Sequence, residues 1–230
     1  MVSADDFLSG KVLLIDKPLE WTSFQAVNKI RWAIRKTFHL KKIKVGHAGT
    51  LDPLATGLLI ICTGKKTKEI SLYQGQEKTY TGTIRLGTTT PSYDLETDID
   101  AEFDTDHITP DLIYKTTEHF IGLQEQYPPI FSAVKKDGKR LYEFARAKEA
   151  VEIKPRSIEI SEFSITNIDG LDVHFKVRCS KGTYIRSLAH DFGKALKSGA
   201  HLTALRRTGI GAFKIEHAQT LDAFLASLDK

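Results

Sequence analysis

Apolar positions along this chain fall in short blocks whose spacing switches between strand and helix character. Lys11-Val12-Leu13-Leu14-Ile15-Asp16 is a brief apolar run closed by Lys17-Pro18, the pattern of a buried strand. Phe24, Val27, Ile30 and Ile34 then recur at helical spacing. They predict a helix to about Thr37, with Ser23 as its cap and the first basic residues on its exposed side. Leu58 to Cys62 is continuously apolar and predicts a second buried strand, and Gly64 to Lys68 starts a short helix. Lys78 to Leu86 reads as a strand. From Leu95 to Phe103 acids alternate with apolar or small residues, a period of two that predicts a strand with one wet, negative face. Thr109-Pro110-Asp111 has the cap, first-turn proline and early acid of a helix start, continuing through Leu112, Ile113 and Phe120.

The stretch from Gln124 to Pro155 is the least regular: Tyr127-Pro128-Pro129 breaks structure, Lys136-Asp137-Gly138-Lys139 signals a turn, and Leu141 to Ala147 suits a short helix. Ile158 to Ile168 and Leu171 to Cys179 form an antiparallel pair around Asp169-Gly170. Thr183 to Leu196 reads as a helix, Leu202 to Lys214 as extended, and Thr220 to Leu228 as a closing helix. Strands and helices are not cleanly interleaved. The class expected is α+β, with a central antiparallel-rich mixed sheet flanked by helices and loops.

With 230 residues, 41% hydrophobic and 27% charged, the chain has the composition of a soluble globular protein. No apolar run approaches a membrane span, and the opening Met-Val-Ser-Ala-Asp-Asp lacks the basic start of a signal peptide, so a cytoplasmic protein is expected. Cys62 and Cys179 are far apart in apolar surroundings and read as buried free thiols; close-spaced metal ligands are absent. His119, His174, His190 and His217 read as ordinary surface or helix residues. The net charge of +4 says less than its distribution. Arg31, Arg35, Lys36, Lys41, Lys42 and Lys44 run without an acid, whereas eight acids between Asp94 and Asp111 run without Lys or Arg. A basic cluster suits a polyanionic partner such as RNA, particularly when it leads into a candidate active loop.

That loop is Lys44-Val45-Gly46-His47-Ala48-Gly49-Thr50-Leu51-Asp52-Pro53-Leu54-Ala55-Thr56-Gly57-Leu58-Leu59, in which glycines and a proline surround one carboxylate. A carboxylate held on such a loop can serve as nucleophile, base or ligand. The segment closely resembles the catalytic loop of the TruB-type pseudouridine synthases, which modify uridine 55 in the T-arm of tRNA. The family pattern Gly-His-x-Gly-x-Leu-Asp-Pro-x-Ala-x-Gly-x-Leu is complete here and places the catalytic aspartate on Asp52. Further blocks resemble the same family in the same order: Leu14-Ile15-Asp16-Lys17-Pro18 with Thr22-Ser23; Lys78-Thr79-Tyr80; Ser132-Ala133-Val134-Lys135 with Gly138 to Arg146; and Cys179 to Leu188 around Arg186.

The resemblance implies the pseudouridine synthase fold in one catalytic domain, residues 1–230, with an RNA-contacting insertion at about 124–155. The chain ends at Lys230 without room for the small C-terminal RNA-binding domain common in the family. It implies that Asp52 attacks C1′, attacks C6 of the base or takes a proton from C2′, three routes left open. Arg186 is the implied partner of its charge, and Tyr80 stacks on the uracil and assists the C5 proton. His47 contacts RNA or props flipped bases, Lys17 and Lys135 touch phosphate or shape the pocket, and Tyr184 packs beneath the site. Leu205 either lines the uracil pocket or is plain core. The chemistry asks for no cofactor and no metal. The expected partner is the tRNA T-arm stem-loop, with no membrane and a monomeric chain. A non-catalytic tRNA-binding or folding factor is the alternative; a glycoside hydrolase would need a second acid, for which Asp16 and Glu20 are candidates.

Overall fold

A computed structural model describes residues 3–132, 134–136, 138–147 and 149–228, with the backbone alone at Lys135 and Arg140. Ala133 and Asp137, which belong to the expected insertion, and the terminal Lys230 lie outside the described residues. The chain forms two compact units: residues 1–80 with 205–230, and residues 81–204.

The first unit opens with helix α1 (Ala4–Ser9), which Ser3 and Asp6 cap reciprocally. Strand β1 (Val12–Lys17) leads into helix α2 (Ser23–Thr37), and β2 (Val45–His47) precedes β3 (Ala55–Thr63). A 3₁₀ helix (Gly64–Glu69), α3 (Ile70–Gly75) and the start of β4 (Lys78–Leu86) follow. The expected Ser23 cap is corrected to Thr22, whose hydroxyl accepts from the Gln25 N–H while Gln25 reaches back to the Thr22 N–H. Ser23 is released for another task. Arg31 is also not on the exposed side: it donates to the Asn28 side chain at 2.7 Å and to the Val45 carbonyl at 2.9 Å.

Strand β3 explains this unit. It pairs antiparallel with β1, Leu14 opposite Ile60, and antiparallel with β2, His47 opposite Ile61. Leu59 and Ile61 join Ile15, Ile30, Ile34 and Phe224 in one core, while Leu58, Ile60 and Cys62 join Ala48 and Ile210 in another. A continuous apolar run therefore marks a strand buried on both faces, which period-two pleating requires.

In the second unit β5 (Thr88–Thr89), β6 (Ala101–Glu102), α4 (Pro110–Glu118) and β7 (Gly122–Gln126) precede a hairpin of β8 (Lys135–Lys136) and β9 (Lys139–Arg140). Helix α5 (Leu141–Ala147), β10 (Arg156–Asp169), β11 (Asp172–Cys179) and α6 (Ile185–Ala195) come next. Strand β12 (Ala200–Ile210) returns the chain to the first unit, which closes with β13 (Phe213–Lys214), a 3₁₀ turn, β14 (Gln219–Thr220) and α7 (Leu221–Leu228). β10 lies antiparallel between β7 and β11, and β14 lies parallel to β1. The fold is α+β with a mixed sheet, as expected. Edge-packed Phe120, Phe163, Phe175 and Phe192 centre the second unit's core.

The strand expected from Leu95 to Phe103 shrinks to Ala101–Glu102. Local side chains turn the backbone at and just ahead of its start: Thr90 and Ser92 hydroxyls donate to Asp94 O, the Glu96 N–H donates to the Asp94 carboxylate, and the Ser92 N–H donates to Thr97 Oγ1. Short polar side chains that bond nearby peptides favour turns over ladders.

Candidate active site

The loop bearing Asp52 is held from every side within the first unit. Ser23 Oγ accepts from the Leu51 N–H at 2.8 Å and donates to the Leu51 carbonyl at 3.1 Å, gripping both peptide groups of the preceding residue. The Asp52 carbonyl accepts from Ala55 N at 3.1 Å, and the Pro53 carbonyl accepts from Glu20 N at 2.8 Å. Arg207, 1% exposed, donates to Leu58 O at 2.8 Å, to Gly49 O at 3.1 Å and to Thr50 O at 3.4 Å. One guanidinium thus bridges the start of the loop to the strand beyond it, where a flexible ammonium would reach fewer acceptors. Gly57, with φ +104°, lies so close to the Arg207 backbone that a Cβ would overlap it. That close approach explains the glycine.

Lys17 lies at the end of β1 with its side chain buried. Its ammonium donates to the carbonyls of Pro18 at 2.8 Å, Trp21 and Pro53, so it braces the Asp52 loop through carbonyl groups. Burial pushes its pKa down to about 8; the Asp52 charge opposes that shift and Arg207 adds to it. His47, half-buried on β2, is lowered by burial and by Arg207, against its backbone contact with Gly49. Leu205 on β12 pairs with Ala55, three residues past Asp52, and is half-exposed. Tyr80 is 8% exposed on β4, an inward position of the strand. Asp16, a candidate second acid, is held by both nitrogens of Arg206 at 3.1 and 2.7 Å. The first unit therefore gathers Lys17, His47, Asp52, Tyr80 and Leu205.

In the second unit Arg186 occupies the first turn of α6, 4% exposed. It donates to Ser92 O at 3.1 Å, and its Nε stands 3.6 Å from the Asp94 carboxylate. The turns just ahead of the expected strand present both partners. The backbone before it is fixed reciprocally by Gln126, which accepts from Tyr184 N at 2.8 Å and donates to Tyr184 O at 3.0 Å. Lys135 has its backbone in β8; its side chain lies outside the described residues.

Sequence reasoning missed Ser23, Arg207, Gln126 and Asp94 as holders of the site. Each belongs to a block already singled out or to a charge run, yet none carries a local signal of its long-range partner. His190 lies on helix α6, within the expected helix, and has a specific neighbour. Its ring stacks on Tyr93 with centroids 3.9 Å apart and planes 11° from parallel. Burial, reinforced by Lys194 and opposed by Asp100, pushes its pKa down to about 4. Cys62 and Cys179 are buried and not disulfide-bonded, as expected, and burial pushes the Cys62 thiol up to about 11.

The α+β mixed sheet and the matches that follow define the class: an enzyme that isomerises uridine in RNA. Residues 35–185 match the family model described as TruB family pseudouridylate synthase (N terminal domain), and residues 186–229 match that of the tRNA pseudouridylate synthase B C-terminal domain. The chain belongs to the TruB family. A relative named tRNA pseudouridine synthase B from Flavobacterium johnsoniae is 60% identical over 228 residues, covering 99% of this chain and all of that protein. One of the same name from Phocaeicola vulgatus is 52% identical, covering 98% and 96%. Among solved structures, a Cbf5-Nop10-Gar1 complex contains a similar chain with TM-score 0.72 and 31% identity, covering 96% of this chain and 54% of that one. An H/ACA RNP bound to a substrate RNA containing 2′-deoxyuridine gives TM-score 0.68 and 28% identity, covering 96% and 53%.

Proposed function

We propose that this chain converts uridine to pseudouridine at position 55 in the T-arm of tRNA, with Asp52 as the essential catalytic group. The observation that carries the reading is the loop itself: Ser23 and Arg207 fix the peptides of residues 49–51 ahead of one half-exposed carboxylate, and Arg207 also holds the Leu58 carbonyl beyond it. Such preorganisation is what a positioned nucleophile or base requires. In the reaction the N1–C1′ bond breaks, the base turns, C5 bonds to C1′, and the C5 proton is released while N1 gains one. Asp52 begins each of the routes to bond cleavage, at C1′, at C6 or at the C2′ proton. Tyr80 and Arg186 keep the roles given above, stacking on the base and partnering the catalytic charge. The target uridine must leave its stack, at a cost of a few kcal/mol that new contacts offset. The reading makes the protein a cytoplasmic tRNA-modifying enzyme.

T-arm RNA tritiated at uridine C5 tests this. The wild-type chain is expected to release tritium in proportion to pseudouridine formed. Asp52→Asn is expected to abolish release yet bind RNA within about tenfold of wild type, because phosphate contacts dominate affinity. Tight binding without release by the wild-type chain would make it a binding factor instead, and substantial turnover by Asp52→Asn would remove Asp52 from its role.

A further inference from the structure

Tyr93 stands in a left-handed backbone conformation, φ +64°, which a large aromatic residue rarely takes. Such a conformation persists only where its surroundings hold it, and strain of this kind gathers at working sites. Three contacts hold Tyr93. Its N–H donates to Thr90 O at 3.1 Å, its carbonyl accepts from Leu202 N on β12 at 2.9 Å, and its ring is stacked on His190 with centroids 3.9 Å apart. Among the described residues His190 Nδ1 is buried with no hydrogen-bond partner, so ring packing is what this imidazole supplies. Its pKa of about 4 keeps it uncharged at neutral pH. His190 follows Arg186 by four residues on α6, so the two side chains share one face of the helix, a turn apart. The chain from Ser92 to Asp94 lies against that face. The Ser92 carbonyl accepts from Arg186 at 3.1 Å and the Asp94 carboxylate stands 3.6 Å from Arg186 Nε, while Tyr93 between them covers His190. Successive residues of an extended strand would point to opposite sides. The left-handed turn at Tyr93 instead brings both its neighbours to one guanidinium.

We propose that Tyr93 and His190 are positioning residues for the uridine isomerisation: their stacked rings hold the Ser92–Asp94 turn against α6 and so fix the direction of the Arg186 guanidinium. The inference rests on the proposed role of Arg186 as partner of the catalytic charge. A guanidinium serves a carboxylate through a planar fork of fixed geometry, so its direction matters as much as its presence. A misplacement of about 1 Å costs on the order of a hundredfold in rate even when the altered residue is remote from the chemistry.

The test removes each ring or keeps it, in the full chain, at temperatures where unfolding curves show every variant folded. Tyr93→Gly suits the left-handed backbone but has no ring, and His190→Ala favours the helix but has no ring. Each is expected to lower kcat on T-arm RNA by about tenfold or more with KM within about threefold. The double variant is expected to lose no more than the worse single one, because both changes remove the same contact. Tyr93→Phe and His190→Phe keep a stack and are expected to stay within about threefold of wild type. Solvent exchange of the buried Arg186 Nε–H, read by NMR, needs no turnover; it is expected to quicken by about tenfold or more in the two ringless variants and to stay as in wild type in the phenylalanine ones. Full kcat in the ringless variants, unchanged exchange in them, or equal losses in the phenylalanine variants would each overturn the inference. A raised KM at unchanged kcat would also overturn it, making the ring pair an RNA contact. Undiminished turnover by Arg186→Ala would instead defeat the reading of Arg186 itself.

Discussion

Asp52 is legible in the sequence because its surroundings are local: glycines, a proline and an apolar run within one continuous segment. What holds it is not. Ser23 is 28 residues away and sits where a helix cap was expected, yet its hydroxyl serves Leu51. Ser23→Ala removes both bonds and leaves a buried peptide unpaired, so a loss of about 1–3 kcal/mol is expected in denaturant unfolding. Its kcat should fall more than its KM rises, because the carboxylate loses aim and not its RNA contacts. His190 illustrates a titratable group whose behaviour is set by neighbours distant in sequence. Its folded pKa of about 4 lies below the ordinary 6.5, so between those values the unfolded chain takes up a proton that the folded chain refuses. The stability tied to its neutral form is present above pH 6.5 and is lost as pH falls to about 4. His190→Phe keeps a ring against Tyr93 and should flatten that acid limb relative to wild type, read as the difference between two melting-temperature profiles.

At the scale of elements, the strongly periodic segments were readable and the polar ones were not. Helix α2, strand β3 and the β10–β11 pair follow from apolar spacing, since burial of a stripe or face is what forms them. The alternating acidic segment misled because period two is also compatible with successive turns, and there Thr90, Ser92 and Asp94 bond their own backbone. Those turns aim Asp94 and Ser92 at Arg186, so the departure from regularity has a use. Gly57 shows the reverse case, a regular strand with one position that only glycine fills. Gly57→Ala forces a side chain into a left-handed backbone and against the Arg207 peptide. A loss of about 2 kcal/mol or more is expected in equilibrium unfolding. Activity should fall with it, since Arg207 holds the catalytic loop.

Across the whole chain, charge is segregated into a basic stretch before Asp52 and an acidic one after Asp94. The structure divides the basic residues by task. Arg31 is spent on Asn28 and the Val45 carbonyl, whereas Lys36 is exposed, its ammonium 4.9 Å from the centre of the Trp32 ring. Lys36→Glu is therefore expected to weaken RNA binding in filter or anisotropy titrations with little change in stability. Arg31→Glu is expected to lower stability by about 1–3 kcal/mol, since it leaves a carbonyl without its donor. By itself the sequence determined the α+β class, the core strands and helices, the family, and the candidate residues Asp52, Tyr80 and Arg186. All of these rest on order and spacing along the chain, and short-range spacing governs burial and motif alike. Only the tertiary structure decided which cations are structural, which turns carry Arg186 and which side chains lock the Asp52 loop. Those contacts join residues up to 158 positions apart, and a hydrogen bond across such a gap leaves no periodic trace in either partner.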